Sequence, residues 1–335
     1  MVKKRPKIVV IGGGTGTFVA LSGLKKHPVQ LTAVVSMADS GGSNRIIRDE
    51  FGLLPTSDIR QCMVALAETN GESELLRKLF MYRFHQGKGI AGMTFGNLFI
   101  AALSDIMGSQ EVAIEETGKI LRISGTILPV TSDSVDLVAE YADGSRVVGE
   151  HEIDEPSHDG RMRIVKLSTK PSGRVDQHAA AAIREADLVV LGPGDLYTSI
   201  LADVVISGVP EAIQACRGKI AYVVNLMTRW GQTYDFSASD HVREIETYIG
   251  TKRGLDAVVV NNNFDFPKAI LSAYEKEHAK PIEDDLRGDG YRIIRRNLLS
   301  KLLYQKPRGD VLKRSVIRHD ADTLGRALLE ALRPL

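Results

Sequence analysis

The stretch Gly12-Gly13-Gly14-Thr15-Gly16 follows the apolar run Lys7 to Ile11 and opens a helical pattern. Backbone amides at such a strand-to-helix turn, reinforced by the positive end of the helix dipole, make a seat for phosphate. Glycine serves there because the chain must approach an anion closely or take positive φ; a tight structural turn would use the same residues. The pattern departs from the dinucleotide fingerprint. Gly12 and Gly14 are present, but Thr17 holds the third glycine position, and the second strand ends at Ser36 rather than at an acid for an adenosine ribose. A nicotinamide oxidoreductase is therefore disfavoured.

Five further loops carry groups that suit a phosphate-linked ligand. Asp39, Ser40, Gly41, Gly42 and Ser43 lie just past the second strand and offer one carboxylate, flexible backbone and hydroxyls. Such a set suits a sugar, a base edge or a hydrated cation, or forms an Asx-turn. Asp58 sits where Pro55 to Arg60 starts a helix with Thr56 or Ser57 as its cap, and Asn97 opens another helix at Gly96-Asn97-Leu98. Gly192, Gly194, Tyr197, Thr198 and Ser199 form a second strand-to-glycine turn, and Asn225 and Thr228 follow the next strand with Arg229 and Trp230 behind them. Neither GxSxG, HExxH nor a full GxxxxGK[ST] occurs, and the eight histidines lack metal-ligand spacing.

These loops need a scaffold that brings strand ends together. Runs such as Lys7 to Ile11, Leu31 to Val35, Leu188 to Leu191, Ile220 to Val224 and Ala257 to Val260 read as parallel strands buried on both faces. Helical spacing over 17–26, 57–68, 72–85, 97–107, 176–185, 210–216 and 239–249 supplies crossovers. The expected fold is α/β: a Rossmann-like doubly wound, mostly parallel sheet in one domain over 1–335. Between 121 and 170 short alternating strands and the turn pair Asp143-Gly144 predict an antiparallel β insertion. Residues 292–318 hold nine Lys or Arg against Asp310 alone, a basic segment that is either a solvated face or an anion-facing flank of the cleft.

Composition excludes more than it assigns. With 43% hydrophobic residues and a net charge of +1, there is no global electrostatic case for nucleic acid or an anionic membrane. The early apolar run is too short for a signal-peptide core or a membrane span, and Cys62 and Cys216, far apart and without CxxC, fit free thiols in a reducing compartment. The expected localisation is the cytoplasm; self-association is left open.

Taken together, the loops resemble the gluconeogenesis factor family (YvcK or GlmR type), within the superfamily of the 2-phospho-L-lactate transferases. The blocks Gly12 to Gly16, Asp39 to Ser43, Leu54 to Arg60, Gly96 to Leu98, Leu191 to Ser199 and Ser237 to Val242 occur in family order. The resemblance implies a protein that binds a uridine-diphosphate amino sugar and supports growth on non-glycolytic carbon, cell-wall precursor supply and cell shape. It implies that Tyr274 and Arg318 hold the nucleotide sugar, and that the partner is an enzyme of amino-sugar synthesis. The alternative is a Mg²⁺-dependent transferase of a phosphoryl-linked group, with Asp39 and Asp58 as candidate catalytic or metal-binding carboxylates. Many relatives carry a second aspartate at Ser40 and Gln-Pro at Arg229-Trp230, so this chain lacks one acid of that loop.

Overall fold

The computed structural model describes residues 5–37, 48–69, 72–250, 252–288, 290–301 and 315–333. The loop with Asp39, Ser40, Gly41, Gly42 and Ser43 lies outside them, as does the middle of the basic segment. Ten strands are described: β1 (Lys7–Ile11), β2 (Gln30–Val35), β3 (Thr126–Pro129), β4 (Asp136–Tyr141), β5 (Arg146–Val148), β6 (Ile164–Lys170), β7 (Leu188–Leu191), β8 (Lys219–Val223), β9 (Ala257–Asn261) and β10 (Arg292–Arg296). Seven form one parallel sheet in the order β10-β9-β8-β7-β1-β2-β3; the other three form an antiparallel sheet in the order β5-β4-β6. Chain direction across the main sheet reverses between β1 and β7. That is the switch point at which doubly wound folds bind ligands.

Side-chain alternation along β1 divides the hydrophobic interior in two. Val9 and Ile11 enter the core shared with Leu191, Tyr222 and Val258, whereas Ile8 and Val10 enter the core shared with Ala33, Val190 and Val259. This period-two alternation explains why the strand must be apolar at every position. The first core is covered by the helices Gln177–Glu185, Val209–Gln214 and Ala238–Ile249, the second by Gly14–Leu24, Ser57–Leu66 and Ala321–Ala331. On the second face Gly23 lies against Ala321 and Gly325, so close that a Cβ on Gly23 would overlap the Ala321 carbonyl. Two helices from opposite ends of the chain thus meet backbone to backbone.

Several elements differ from the sequence expectation. The strand near 125–130 is not part of the antiparallel insertion: Thr126 to Pro129 pair in parallel with Thr32 to Val35 and form an edge of the main sheet. An edge strand tolerates Pro129 and is buried on one side only, which gives it the alternation of a half-exposed strand. The antiparallel sheet therefore spans 136–170. The helix expected to run to His85 ends at Met81, because Arg83 bridges Thr94 and Phe84 N–H donates to Met93 O at 2.9 Å. The helices Gln110–Ile120, Lys268–Lys276 and Ala321–Ala331 and strand β10 were not expected. In the basic segment Arg292 and Arg296 pair with Glu330, and Arg295 pairs with Asp284. These three arginines share two carboxylates of neighbouring elements and none of them lines the cleft.

The Gly23 contact predicts that Gly23→Ala costs about 1–3 kcal/mol through overpacking, whereas the same change at an exposed helix position stabilises by about 0.5–1 kcal/mol. Urea unfolding of the two proteins measures the difference.

Candidate functional site

Above the carboxyl ends of β1, β7 and β8 lies a cleft of about 820 Å³. Its floor is made by the two glycine turns. Gly13 precedes the helix Gly14–Leu24 without a side-chain cap, and the first turn of that helix contains no acid. The leading amides of a helix have no partner within it and form a partial positive charge. Gly14, Thr15 and Gly16 all line the cleft. Gly12 has φ +139° and Gly14 φ +66°, values that L side chains rarely adopt.

The second turn is held against the first. A Cβ on Gly16 would overlap the Pro193 carbonyl, so the two loops touch through backbone alone. Asn225 fixes the second turn from the β8 side: the Gly194 amide donates to its Oδ1 at 3.2 Å, and its Nδ2 donates to Gly194 O at 2.6 Å. Beyond Asp195 the chain winds into a π-helical turn, Leu196–Ile200, with the Ile200 amide donating to Asp195 O at 3.1 Å. Such turns are frequent at functional sites. Thr198 and Ser199 face the cleft, whereas Tyr197 is fully buried with its hydroxyl near Ile164 O and belongs to the core. The side chain of Tyr197 is therefore not part of the cleft wall.

Several predicted residues act from behind the lining. Gly12 and Gly192 lie under the two turns. Asn97 is buried; it accepts from Arg60 Nε at 2.8 Å and donates to Ser57 Oγ at 3.1 Å, so it positions Ser57 and does not face the cleft. Asp58 does face it, with its carboxylate against Gly13. Thr228 lines the wall, but its hydroxyl accepts from the Lys280 amide at 3.0 Å. Tyr274 likewise works through its neighbours. Its hydroxyl accepts from Val316 N–H at 3.0 Å and Ile317 N–H at 3.2 Å, fixing the segment that carries Arg318 into the cleft. His319 in the same segment is buried beside Val224 O at 3.2 Å, and burial lowers its pKa to about 4. It stays a neutral imidazole at physiological pH.

Other cleft residues were not singled out as ligand contacts. Asp154, from the short helix Glu150–Asp154 beside the antiparallel sheet, accepts from Arg229 Nη2 at 2.6 Å and Gln232 Nε2 at 2.9 Å. Asp195 shares this corner; burial raises its pKa, and the Arg229 guanidinium opposes the rise. Trp230 stacks on His278 with ring centroids 4.4 Å apart and meets Tyr234 edge-on at 5.2 Å. Only the loop position of Arg229 and Trp230 was legible beforehand; Asp154 is brought to Arg229 by the insertion, and His278 to Trp230 by the turn after the helix Lys268–Lys276.

Behind the glycine turn, Asp203 is completely buried and neither carboxylate oxygen makes a hydrogen bond of ordinary geometry. Burial and then the Asp58 charge push its pKa well above the usual carboxylate range, with the Gly12 amide offsetting part of this. A carboxyl whose folded pKa is raised contributes most stability below its unfolded value near 4 and loses it as pH climbs toward the folded pKa. Asp203→Asn should therefore gain stability relative to the parent as pH rises from about 4 to 7, read as melting temperature against pH.

No described helix is long and apolar enough to cross a membrane. Among the described residues no group of three His, Cys, Asp or Glu is arranged to hold a metal. Cys62 and Cys216 are buried free thiols.

Comparison with known proteins agrees with this architecture. The profile of the family "2-phospho-L-lactate transferase CofD" matches residues 8–299. A relative from Nostoc is 40% identical over 326 residues, 97% of this chain and 68% of its own length. The "Gluconeogenesis factor" of Bacillus subtilis is 35% identical over 333 residues, 98% of this chain and 99% of that protein. A crystal structure described as a member of the UPF0052 family, from Bacillus halodurans, superposes with a TM-score of 0.86 at 34% identity, covering 97% of this chain and 99% of the other. With a glycine-loop cleft at the switch point and these matches along nearly its whole length, the chain belongs to the CofD family, among its gluconeogenesis-factor members.

Proposed function

We propose that the cleft binds a uridine-diphosphate amino sugar, UDP-N-acetylglucosamine or a close relative. In this reading the chain is a cytoplasmic regulatory protein whose occupied state is presented to an enzyme of amino-sugar synthesis, supporting cell-wall precursor supply and cell shape. The observation that carries the ligand class is the contact between the two glycine turns. It supports a seat for two adjacent phosphates: the amides of Gly14 to Gly16 open one helix, and Gly194 with Thr198 and Ser199 lies directly across from them. Arg318 adds a cation at the wall, held there by the Tyr274 hydroxyl.

A second reading draws on Asp58. A carboxylate beside Gly13 would repel a bare diphosphate, and a divalent cation between them would remove the repulsion. Asp58 would hold Mg²⁺ from the described side of the cleft, with Asp39 as the other candidate outside the described residues. Such an ion supplies charge neutralisation to a diphosphate leaving group. The chain's own part in such a transfer would be to orient the donor on the glycine turns.

Calorimetric titration with UDP-N-acetylglucosamine, with and without Mg²⁺, separates the two. The regulatory reading expects metal-independent binding without turnover, weakened about tenfold or more by Arg318→Ala, the loss of roughly 1.4 kcal/mol or more. Tyr274→Phe should weaken the same binding, because it leaves the Val316 and Ile317 amides without their acceptor, at a cost of about 1–3 kcal/mol. Binding of GTP alone, only with Mg²⁺ and with chromatographically detected turnover, would transfer the assignment to the transferase.

A further inference from the structure

The cleft has two chemically different ends. Around the glycine turns and Arg318 it offers amides, hydroxyls and a cation that donate to an anion, with the Asp58 carboxylate beside Gly13. At the other end the lining includes Asp154, Glu155, Asp195 and Glu277 against Arg229 and Lys276, with Trp230 and His278 beside them. With carboxyl groups outnumbering cations, this end is a poor seat for a diphosphate, since like charges at close range cost more than the two cations return. What this end can hold is an uncharged molecule rich in hydroxyls. A carboxylate has about four acceptor sites; Arg229 and Gln232 each take one on Asp154. The Arg229 guanidinium has five donors, of which the Asp154 contact uses one.

The aromatic pair supplies the other half of such a site. Trp230 is packed between His278, Tyr234 and the backbone of Gly160, where a Cβ would overlap the indole. Gly231, at φ +82°, brings the loop against Pro156, and its amide donates to Gly160 O at 3.1 Å. The indole is thus fixed by the insertion at the cleft wall, half-buried, next to carboxylates. The part of the indole that His278, Tyr234 and Gly160 leave uncovered is an apolar surface beside acceptors, which complements the C–H groups and hydroxyl rim of a pyranose.

We infer that the Asp154–Asp195–Arg229 corner with Trp230 is the subsite for the glycosyl group, and that it sets which sugar the cleft accepts. This rests on the nucleotide-sugar reading above and adds the orientation: diphosphate on the glycine turns, sugar toward the insertion, nucleoside away from Trp230. A site built to hydrogen-bond hydroxyls discriminates strongly against ligands that lack them, because its buried polar groups are left unpaired.

Trp230 is the single tryptophan of the chain, so its fluorescence reports on this corner alone. Saturating UDP-N-acetylglucosamine should change its emission, while UDP and UMP, at concentrations where calorimetry shows them bound, should not. Calorimetry on Asp195→Asn and Trp230→Ala should show the preference for UDP-N-acetylglucosamine over UDP reduced about tenfold with UDP affinity retained, circular dichroism verifying the fold. Emission changes of equal size with UMP would put the nucleobase against Trp230 and overturn the orientation. An unchanged preference in both folded variants would overturn the subsite while leaving the nucleotide reading intact. Failure of the parent protein to bind any uridine nucleotide would overturn both, and if Trp230→Ala does not fold, the parent's fluorescence still decides.

Discussion

Everything in the cleft depends on one backbone contact, that of Gly16 with the Pro193–Gly194 peptide. β1 and β7 are neighbours in the sheet, and their following helices leave on opposite faces. Two turns emerging from adjacent strand ends would ordinarily be kept apart by side chains. Without a Cβ on Gly16 they close to van der Waals distance, and the donors of both turns address one small volume. Asn225 then clamps the second turn with a pair of hydrogen bonds, worth about 1 kcal/mol each where both groups would otherwise face water.

Around this fixed floor the walls come from parts of the chain that the parallel sheet does not dictate. One wall is the insertion: the short helix Glu150–Asp154 is tied to the β8 loop by the Asp154–Arg229 ion pair and by Gln232, which also contacts Thr198. The other is the 315–319 segment, fixed through Tyr274 and the buried, neutral His319. Charge is segregated between them. The glycine-turn floor and the acidic corner therefore belong to one cavity yet differ in the chemistry they present.

Much of the fold was legible because parallel strands buried on both faces have continuous apolar runs, and Val-rich strands such as Ala257 to Asn261 have no other reading. The edge strand Thr126 to Pro129 was misassigned for the converse reason: half exposed, it carries the alternation of an antiparallel strand. Glycine turns and the residues beside them were legible through backbone chemistry, as Gly12 to Gly16 and Gly194 illustrate. Tyr197 and Asn97 show the limit. Motif membership placed them near the ligand, but only three-dimensional packing decides that Tyr197 turns into the core and Asn97 props Ser57 from below. Asp154 and Asp203 carry no local signal at all, since their significance comes from partners more than seventy positions away or from burial.

The close packing of Gly23 on Ala321 and Gly325 also orders events in time. The helix that begins at the glycine loop is docked on the helix that directly follows Arg318, so the cleft joins segments about three hundred positions apart in the chain. A ribosome-bound chain can build much of the sheet as it emerges, but it cannot complete the cleft until the 315–331 region has left the exit tunnel. The assembled cleft is thereby reserved for chains that have been translated through this region, and an interrupted product carries the glycine loop without the wall that bears Arg318.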